Sequence, residues 1–255
     1  MPGFSIVIIC RNEAATIGRT LESLKGLTDD IIVYDNGSTD GTQHIVREYD
    51  AILHEGKWEG FGKTKQRAIG LAKYNWILSL DADEAIDSEL NNSLATLQFD
   101  NERTVYDIRF RNFLGNKYMR YGEWGGDHHI RLFNRNTVQY DDAPVHEQLI
   151  LPKDVIIIKI RGHVLHATMK DVHEYAEKMI QYAMLNALKY YGLGKRSSWF
   201  RIRFAPAFTF FNYYILRLGF LDGHEGFVCA KMTAWYTFLK YTRLRELWKN
   251  QQKKE

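Results

Sequence analysis

The chain has almost no cysteine: Cys10 and Cys229 are the two in 255 residues. Two thiols so far apart suggest no disulfide framework, and their scarcity suits a reducing, cytosolic setting. Long apolar runs are also missing. A spanning helix needs roughly 20 mostly apolar residues, and the most aromatic segment, residues 199–221, is cut by Arg201, Arg203, Arg217 and Pro206. The start, Met1-Pro2-Gly3-Phe4, has no basic stretch and no long apolar run, so it does not read as a signal peptide. Net charge is only +3, which does not point to nucleic acid as a partner. No Gly-x-Gly-x-x-Gly follows the first apolar run, which disfavours a dinucleotide-binding oxidoreductase. Arg11-Asn12-Glu13-Ala14 stands there instead, without the glycine-rich phosphate loop a nucleotidyltransferase would use.

What is present is a globular composition, 25% charged and 45% apolar, long enough for one large domain or one domain with an appendage. The organising stretch is Trp76-Ile77-Leu78-Ser79-Leu80-Asp81-Ala82-Asp83-Glu84. An apolar run of strand length ends abruptly in three carboxylates. Ligands of open α/β sheets bind outside the carboxyl ends of strands. Clustered carboxylates repel one another and need a cation beside them. A hard divalent ion that bridges oxygen ligands and substrate phosphates suits that need. A helix start explains part of the pattern, because Asp87-Ser88 can cap a helix from about Glu89. It leaves Asp81-x-Asp83 at a strand end unexplained.

Read in order, the chain alternates strand and helix. Ser5–Cys10 is a wholly apolar, β-branched run, as a strand buried on both faces reads. Ile17, Leu21 and Leu24 mark a helix ending near Gly26. Ile31–Tyr34 is a second strand, followed by a turn over residues 35–42 and a helix carrying Ile45, Val46 and Tyr49. Ile52–His54 is a third strand; Gly60-Phe61-Gly62 leads into a helix over 63–73 with Ala68, Ile69 and Ala72 inward. The order predicts a parallel sheet with right-handed crossovers. Three strand ends carry polar clusters: Asn12-Glu13, Asp35-Asn36 and Asp81 to Glu84.

Beyond Glu84, residues 90–99 read as a helix, 105–113 as a half-exposed strand, 130–133 and 155–158 as strands, and 172–191 as a helix with Tyr175, Met179, Tyr182, Ala183 and Leu185 in its apolar set. Residues 118–126 are aromatic and glycine-rich, suited to a binding loop, with Tyr121 and Trp124 either on a ligand or in the core. Asp127-His128-His129 resembles a metal cluster, but adjacent strand residues point to opposite faces, so both histidines are structural or substrate contacts. His163 and His166 lack the further ligands of a structural zinc site.

Arg-Asn-Glu after the first strand, Asp-Asn-Gly-Ser-Thr-Asp-Gly-Thr after the second and Leu-Asp-Ala-Asp-Glu after the fourth resemble the inverting nucleotide-sugar glycosyltransferases of family 2. More narrowly, Trp58-Glu59-Gly60-Phe61-Gly62, Arg131-Leu132-Phe133-Asn134-Arg135 and Val145-His146-Glu147 resemble the lipopolysaccharide-core β-glucosyltransferase branch. The resemblance implies an α/β fold of the GT-A type, a Rossmann-like mixed sheet, here with a C-terminal helical appendage. It implies that Asp35 accepts from a uracil imide, that Arg11 and Glu13 lie against ribose and base, and that Asp81 touches ribose or donor sugar. Asp83 would bind Mn²⁺ or Mg²⁺, with His166 completing the metal shell unless it bonds the backbone. Asn36 stands where many relatives have a second Asp. Lys63, Lys65 and Arg67 follow a glycine-rich turn at a helix start, a place suited to anions; Lys65 is the donor-side choice, and a solvated helix face is the alternative. Inversion needs a carboxylate to take the acceptor proton. The family's order of motifs makes that Glu147, with His146 orienting a neighbour and Asp127 the runner-up.

The expectation is a hexosyltransferase using UDP-glucose on a lipopolysaccharide-core-like or other envelope glycan, with residues 1–168 catalytic and 169–255 a helical, aromatic and basic appendage. A non-catalytic scaffold is the alternative from another class. Residues 195–255 are basic and aromatic, with a turn over 219–226 that suggests a helical hairpin. Aromatics with arginines suit the interface of an anionic membrane; packing on the catalytic domain is the other reading. The first gives a cytoplasmic protein peripheral on the inner membrane.

Overall fold

The apolar runs from Phe4, Ile31 and Trp76 are strands buried along nearly their whole length, while the short run from Ile52 is a partly exposed strand. The computed structural model describes residues 3–141 and 147–252. Its contacts form two compact units, Met1–Phe110 with Asp127–His166, and Arg111–Gly126 with Ala167–Glu255.

In the first unit β1 (Phe4–Cys10), α1 (Ile17–Ser23), β2 (Ile31–Asp35), α2 (Thr42–Arg47), β3 (Ile52–Glu55), α3 (Phe61–Gly70) and β4 (Trp76–Asp81) follow in turn. β1 lies parallel between β2 and β4, and β2 pairs parallel with β3, as the alternation predicts. β-branched side chains fit the pleat better than a helix. Alternate residues feed two cores. Ile6, Ile8, Val33, Leu78 and Leu80 join Ile17, Leu21 and Leu24 on one face; Val7, Ile9, Ile32 and Ile77 join Ala68 and Ile69 on the other. Each β4 residue's parity thus decides its face, and Asp81 falls with Ile77 and Ser79, toward α3.

Next come β5 (Glu84–Ile86), α4 (Ser88–Ala95), β6 (Thr104–Leu114), β7 (Lys117–Tyr118), β8 (His128–Asn134), β9 (Gln139–Tyr140), β10 (Leu149–Ile150) and β11 (Ile156–Met169). The sheet order is β3-β2-β1-β4-β8-β6-β11-β5, with β7 beside β6, and β9-β10 form a separate pair. β8 runs antiparallel to β4 and β6, and β5 to β11, so the sheet is mixed. β6 is the expected half-exposed strand only from Arg109 onward, where Arg109 is exposed and Arg111 and Phe113 partly so, and its first half is buried on both faces. It lies inside the sheet with Val105 in one core and Tyr106, Ile108 and Phe110 in the other. Its Asp107 tolerates burial because His128 Nδ1 lies 2.9 Å from Oδ1. The apolar run 156–158 is instead exposed, and burial begins further along β11. Asp87 does cap α4, accepting from Leu90 N at 2.9 Å.

In the second unit α5 (Val172–Gly192) starts at Asp171, which accepts from Glu174 N, and α6 (Trp199–Phe211) at Ser198, which accepts from Arg201 N. A π-turn over Asn212–Leu216 and a 3₁₀ turn over Gly219–Asp222 lead into α7 (Gly223–Gln252). Leu114, Met119, Met169, Tyr175 and Cys229 form its core, with Trp124 packed on them. Trp124 is therefore a core residue, while Tyr121 is exposed. The Asp222 carboxylate accepts from the backbone N–H groups of Arg120 and Tyr121.

Candidate active site

The polar ends of β1 and β2 are laced into one surface. Asn12, with φ of 58°, donates its N–H to Ser38 Oγ and accepts from Thr39 N, both at 2.8 Å. Glu13 N donates to Thr42 Oγ1 and Ala14 N to Asp40 Oδ2. Asn takes the left-handed region more readily than most residues, which lets the chain turn sharply there. The Glu13 carboxylate accepts from Thr16 Oγ1 at 2.7 Å. Arg11 is exposed beside it.

Asp35 is fully buried, and its carboxylate is engaged inside the protein. Oδ2 accepts from Gly37 N, Ser38 N and Gln43 Nε2; Oδ1 accepts from Ser38 Oγ and the Cys10 thiol. Burial raises its pKa, but these donors outweigh that and hold it below the usual carboxylate value. These bonds fix the 36–42 turn and hold the Asp35 carboxylate, the group expected to meet the base, in one orientation. The neighbouring Asn36 is buried too, and its Oδ1 has no hydrogen-bond partner among the described residues. Such orphans are rare in native proteins.

The strand-end carboxylates sit in a tight charge cluster. Lys65, nearly buried on α3, places Nζ 2.9 Å from Asp81 Oδ1 and 2.9 Å from Glu147 Oε1. Arg131 on β8 reaches Asp81 Oδ2 at 3.2 Å and pairs closely with Glu84 Oε1. Glu84 Oε2 accepts from Asp81 N at 3.0 Å. Burial would push the Asp81 carboxyl up, yet Lys65 and Arg131 hold it far below the usual range. Glu84 goes the other way, raised by burial. Of the three basic residues near the α3 start, Lys63 and Arg67 are exposed and Lys65 is inside. Tyr140 on β9 lies under Lys65, 5.4 Å from Nζ to the ring centroid, and its hydroxyl donates to Ser79 Oγ at 3.2 Å.

Asp83 and His166 are brought together: His166 Nε2 lies 3.4 Å from Asp83 Oδ2. Burial lowers the His166 pKa, but Asp83 and the charges of Glu84 and Asp81 raise it overall. A nitrogen and a carboxylate oxygen at this separation, next to further acids, form a donor set that fits Mn²⁺ or Mg²⁺. Among the described residues a different trio, Asp87, Glu89 and His163, also gathers its ligand atoms. There Asp87 already caps α4 and accepts from His163. Asp127 pairs with His129 Nε2 at 3.0 Å. A cavity of about 440 Å³ is lined by His128, His129, Arg131, Tyr140 and Glu147, so Asp127 meets it through His129. His146 lies outside the described residues.

The family model for glycosyl transferase family 2 matches residues 5–149. This chain belongs to glycosyl transferase family 2. A glycosyltransferase of Rickettsia typhi is 28% identical over 97% of this chain and 88% of its own length. The lipopolysaccharide core biosynthesis glycosyltransferase LpsC of Rhizobium meliloti is 30% identical over 94% of this chain and 91% of its own. Among solved structures, S. aureus TarS in complex with UDP-GlcNAc aligns at 16% identity and a TM-score of 0.46, covering 98% of this chain and 92% of that one.

A family 2 glycosyltransferase is a transferase enzyme, so the scaffold alternative is set aside, and the mixed sheet is that of a GT-A enzyme. The sequence places Glu84 in the strand-end cluster and Arg131 in a family motif, but assigns neither a partner and gives Tyr140 no role. A signal existed for Arg131: an arginine between Ile130 and Leu132 on an apolar strand needs an acid partner. Tyr140 had none, because its place follows from the β9 pairing.

Proposed function

We propose that this family 2 glycosyltransferase moves glucose from UDP-glucose, with inversion, onto a lipopolysaccharide-core-like or other envelope glycan. The observation that carries the reading is the pairing of Asp83 with His166 beside the Lys65–Asp81–Glu147 cluster. The likeness to LpsC over nearly the whole chain supports the acceptor class. Residues 1–168 carry the chemistry and 169–255 a peripheral contact with the cytoplasmic face of the inner membrane.

Asp83 and His166 would hold Mn²⁺ or Mg²⁺, which neutralises charge on the departing diphosphate. Asp35, oriented by the turn it holds, would accept the imide N–H of the base, with the buried Asn36 beside it. Arg11 and Glu13 border the ribose, and Asp81 meets the donor sugar. Glu147 lines the acceptor cavity, with Lys65 fixing its Oε1. The acceptor oxygen attacks the anomeric carbon, the bond to the diphosphate breaks with its electron pair, and the hydroxyl proton passes to Glu147. Asp127, one step removed behind His129, orients that ring.

A panel of nucleotide sugars tests the donor, with release of nucleoside diphosphate as the readout. UDP-glucose should be turned over fastest, and Glu147→Gln should lower turnover by roughly 10²-fold or more with donor affinity retained. Equal turnover in Glu147→Gln, or a strong preference for another nucleotide, would overturn the corresponding part.

A further inference from the structure

The second unit carries a surface that transfer chemistry does not use. No residue of α6 is buried. At 3.6 residues per turn, Phe200, Phe204, Phe208 and Phe211 fall within about 80° of one another. These four rings are 48–68% exposed. By the same geometry Arg201 and Arg203 flank the stripe on its two sides. On the Arg203 side, α6 and α7 enclose an open groove of about 520 Å³, walled by Trp199, Ile202, Pro206, Trp235 and Phe238, with Arg203 and Lys231 as its charged residues. Between residues 195 and 221 the charged residues are Lys195, Arg196, Arg201, Arg203 and Arg217, and none is acidic.

Four bare phenyl rings in one row form the kind of contiguous apolar patch that marks an interaction surface. A second copy of this chain fits poorly, because a two-fold contact would set this arginine-rich face against itself. An anionic bilayer fits both features: the rings enter the headgroup boundary and the long arginines reach lipid phosphates. No helix among the described residues is long and apolar enough to cross a membrane, so the geometry is that of a helix lying in the interface plane. We propose that α6 is the docking element for an anionic phospholipid surface, with Phe200, Phe204 and Phe208 inserted and Arg201 and Arg203 on headgroup phosphates. This deepens the membrane contact of the proposed function and rests on that reading.

The test is co-sedimentation of the full chain with vesicles of phosphatidylcholine containing about one third phosphatidylglycerol. Wild type should pellet at low salt, and binding should fall at least roughly tenfold with pure phosphatidylcholine or at high salt. The triple variant Phe200→Ser, Phe204→Ser, Phe208→Ser should lose at least roughly tenfold in partitioning. It should keep its circular dichroism and nucleotide-sugar hydrolysis, because these rings are exposed. Arg201→Glu with Arg203→Glu should remove most of the salt-sensitive part. Wild type remaining in the supernatant, or the triple variant pelleting like wild type, would overturn the proposal. So would a dimer in velocity sedimentation that the triple variant abolishes. Vesicle binding that persists in a protein inert toward every nucleotide sugar would sink the transfer reading and leave this one standing.

Discussion

Lys65 decides most at the scale of single residues. It is buried between Asp81 and Glu147, and a buried cation with two carboxylate partners is held by geometry that nothing else replaces. Its pKa stays above the ordinary lysine value because those acids outweigh the burial that would lower it. Removing one partner of a buried pair leaves the other desolvated and uncompensated. Lys65→Met should therefore lose roughly 3–5 kcal/mol of stability in urea unfolding, and a loss under about 1 kcal/mol would show that the acids find other partners. Much of this site was legible in the sequence. The run of acids after Leu80 announces a cation; the sequence suggests a divalent ion there and Lys65 as a donor-side contact, whereas in the fold Lys65 itself lies against Asp81 and Glu147. Asp35 shows what residue types alone leave open. A carboxylate at a strand end can meet a ligand, shape its own turn or do both, and the bonds from Ser38, Gln43 and two backbone amides follow only from the folded turn.

Strands and helices were the most readable scale in the first unit, because both faces of its sheet are covered. Continuous β-branched runs have one explanation there, and the parallel β1, β2 and β4 follow. β6 was harder. Its alternating polar residues suggest a solvated face, but Asp107 is buried and paired with His128 from β8, a partner distant in sequence. β11 depends on one backbone feature with no side-chain signal. Gly162 has φ of 94°, and a Cβ there would overlap the backbone N and Cα of Leu90 at the start of α4. His163, the next residue, bonds the cap Asp87 through its N–H and ring. Gly162→Ala should cost roughly 2–4 kcal/mol, from positive-φ strain together with overpacking. The cost should appear as a lower urea midpoint with an unchanged slope. A change within about 0.5 kcal/mol would mean that α4 can shift away.

For the whole molecule, the charge cluster of Lys65, Asp81 and Glu147 lies in the first unit and a basic, aromatic helix pair in the second, each unit with its own core. The family is legible from three strand-end motifs in order. The donor sugar and acceptor are not, since sugar epimers differ by a single hydroxyl and no strand-end motif reads it. The central claim is that the paired Asp83 and His166 make nucleotide binding depend on a divalent ion. Calorimetric titration of UDP into the wild type and Asp83→Ala, each with Mn²⁺ and with chelator, tests it directly. The account predicts that Mn²⁺ tightens UDP binding to the wild type at least roughly tenfold, about 1.4 kcal/mol, and leaves Asp83→Ala with weak, metal-independent binding. Equal affinity of the wild type in Mn²⁺ and in chelator, or an undiminished Mn²⁺ effect in Asp83→Ala, would contradict it.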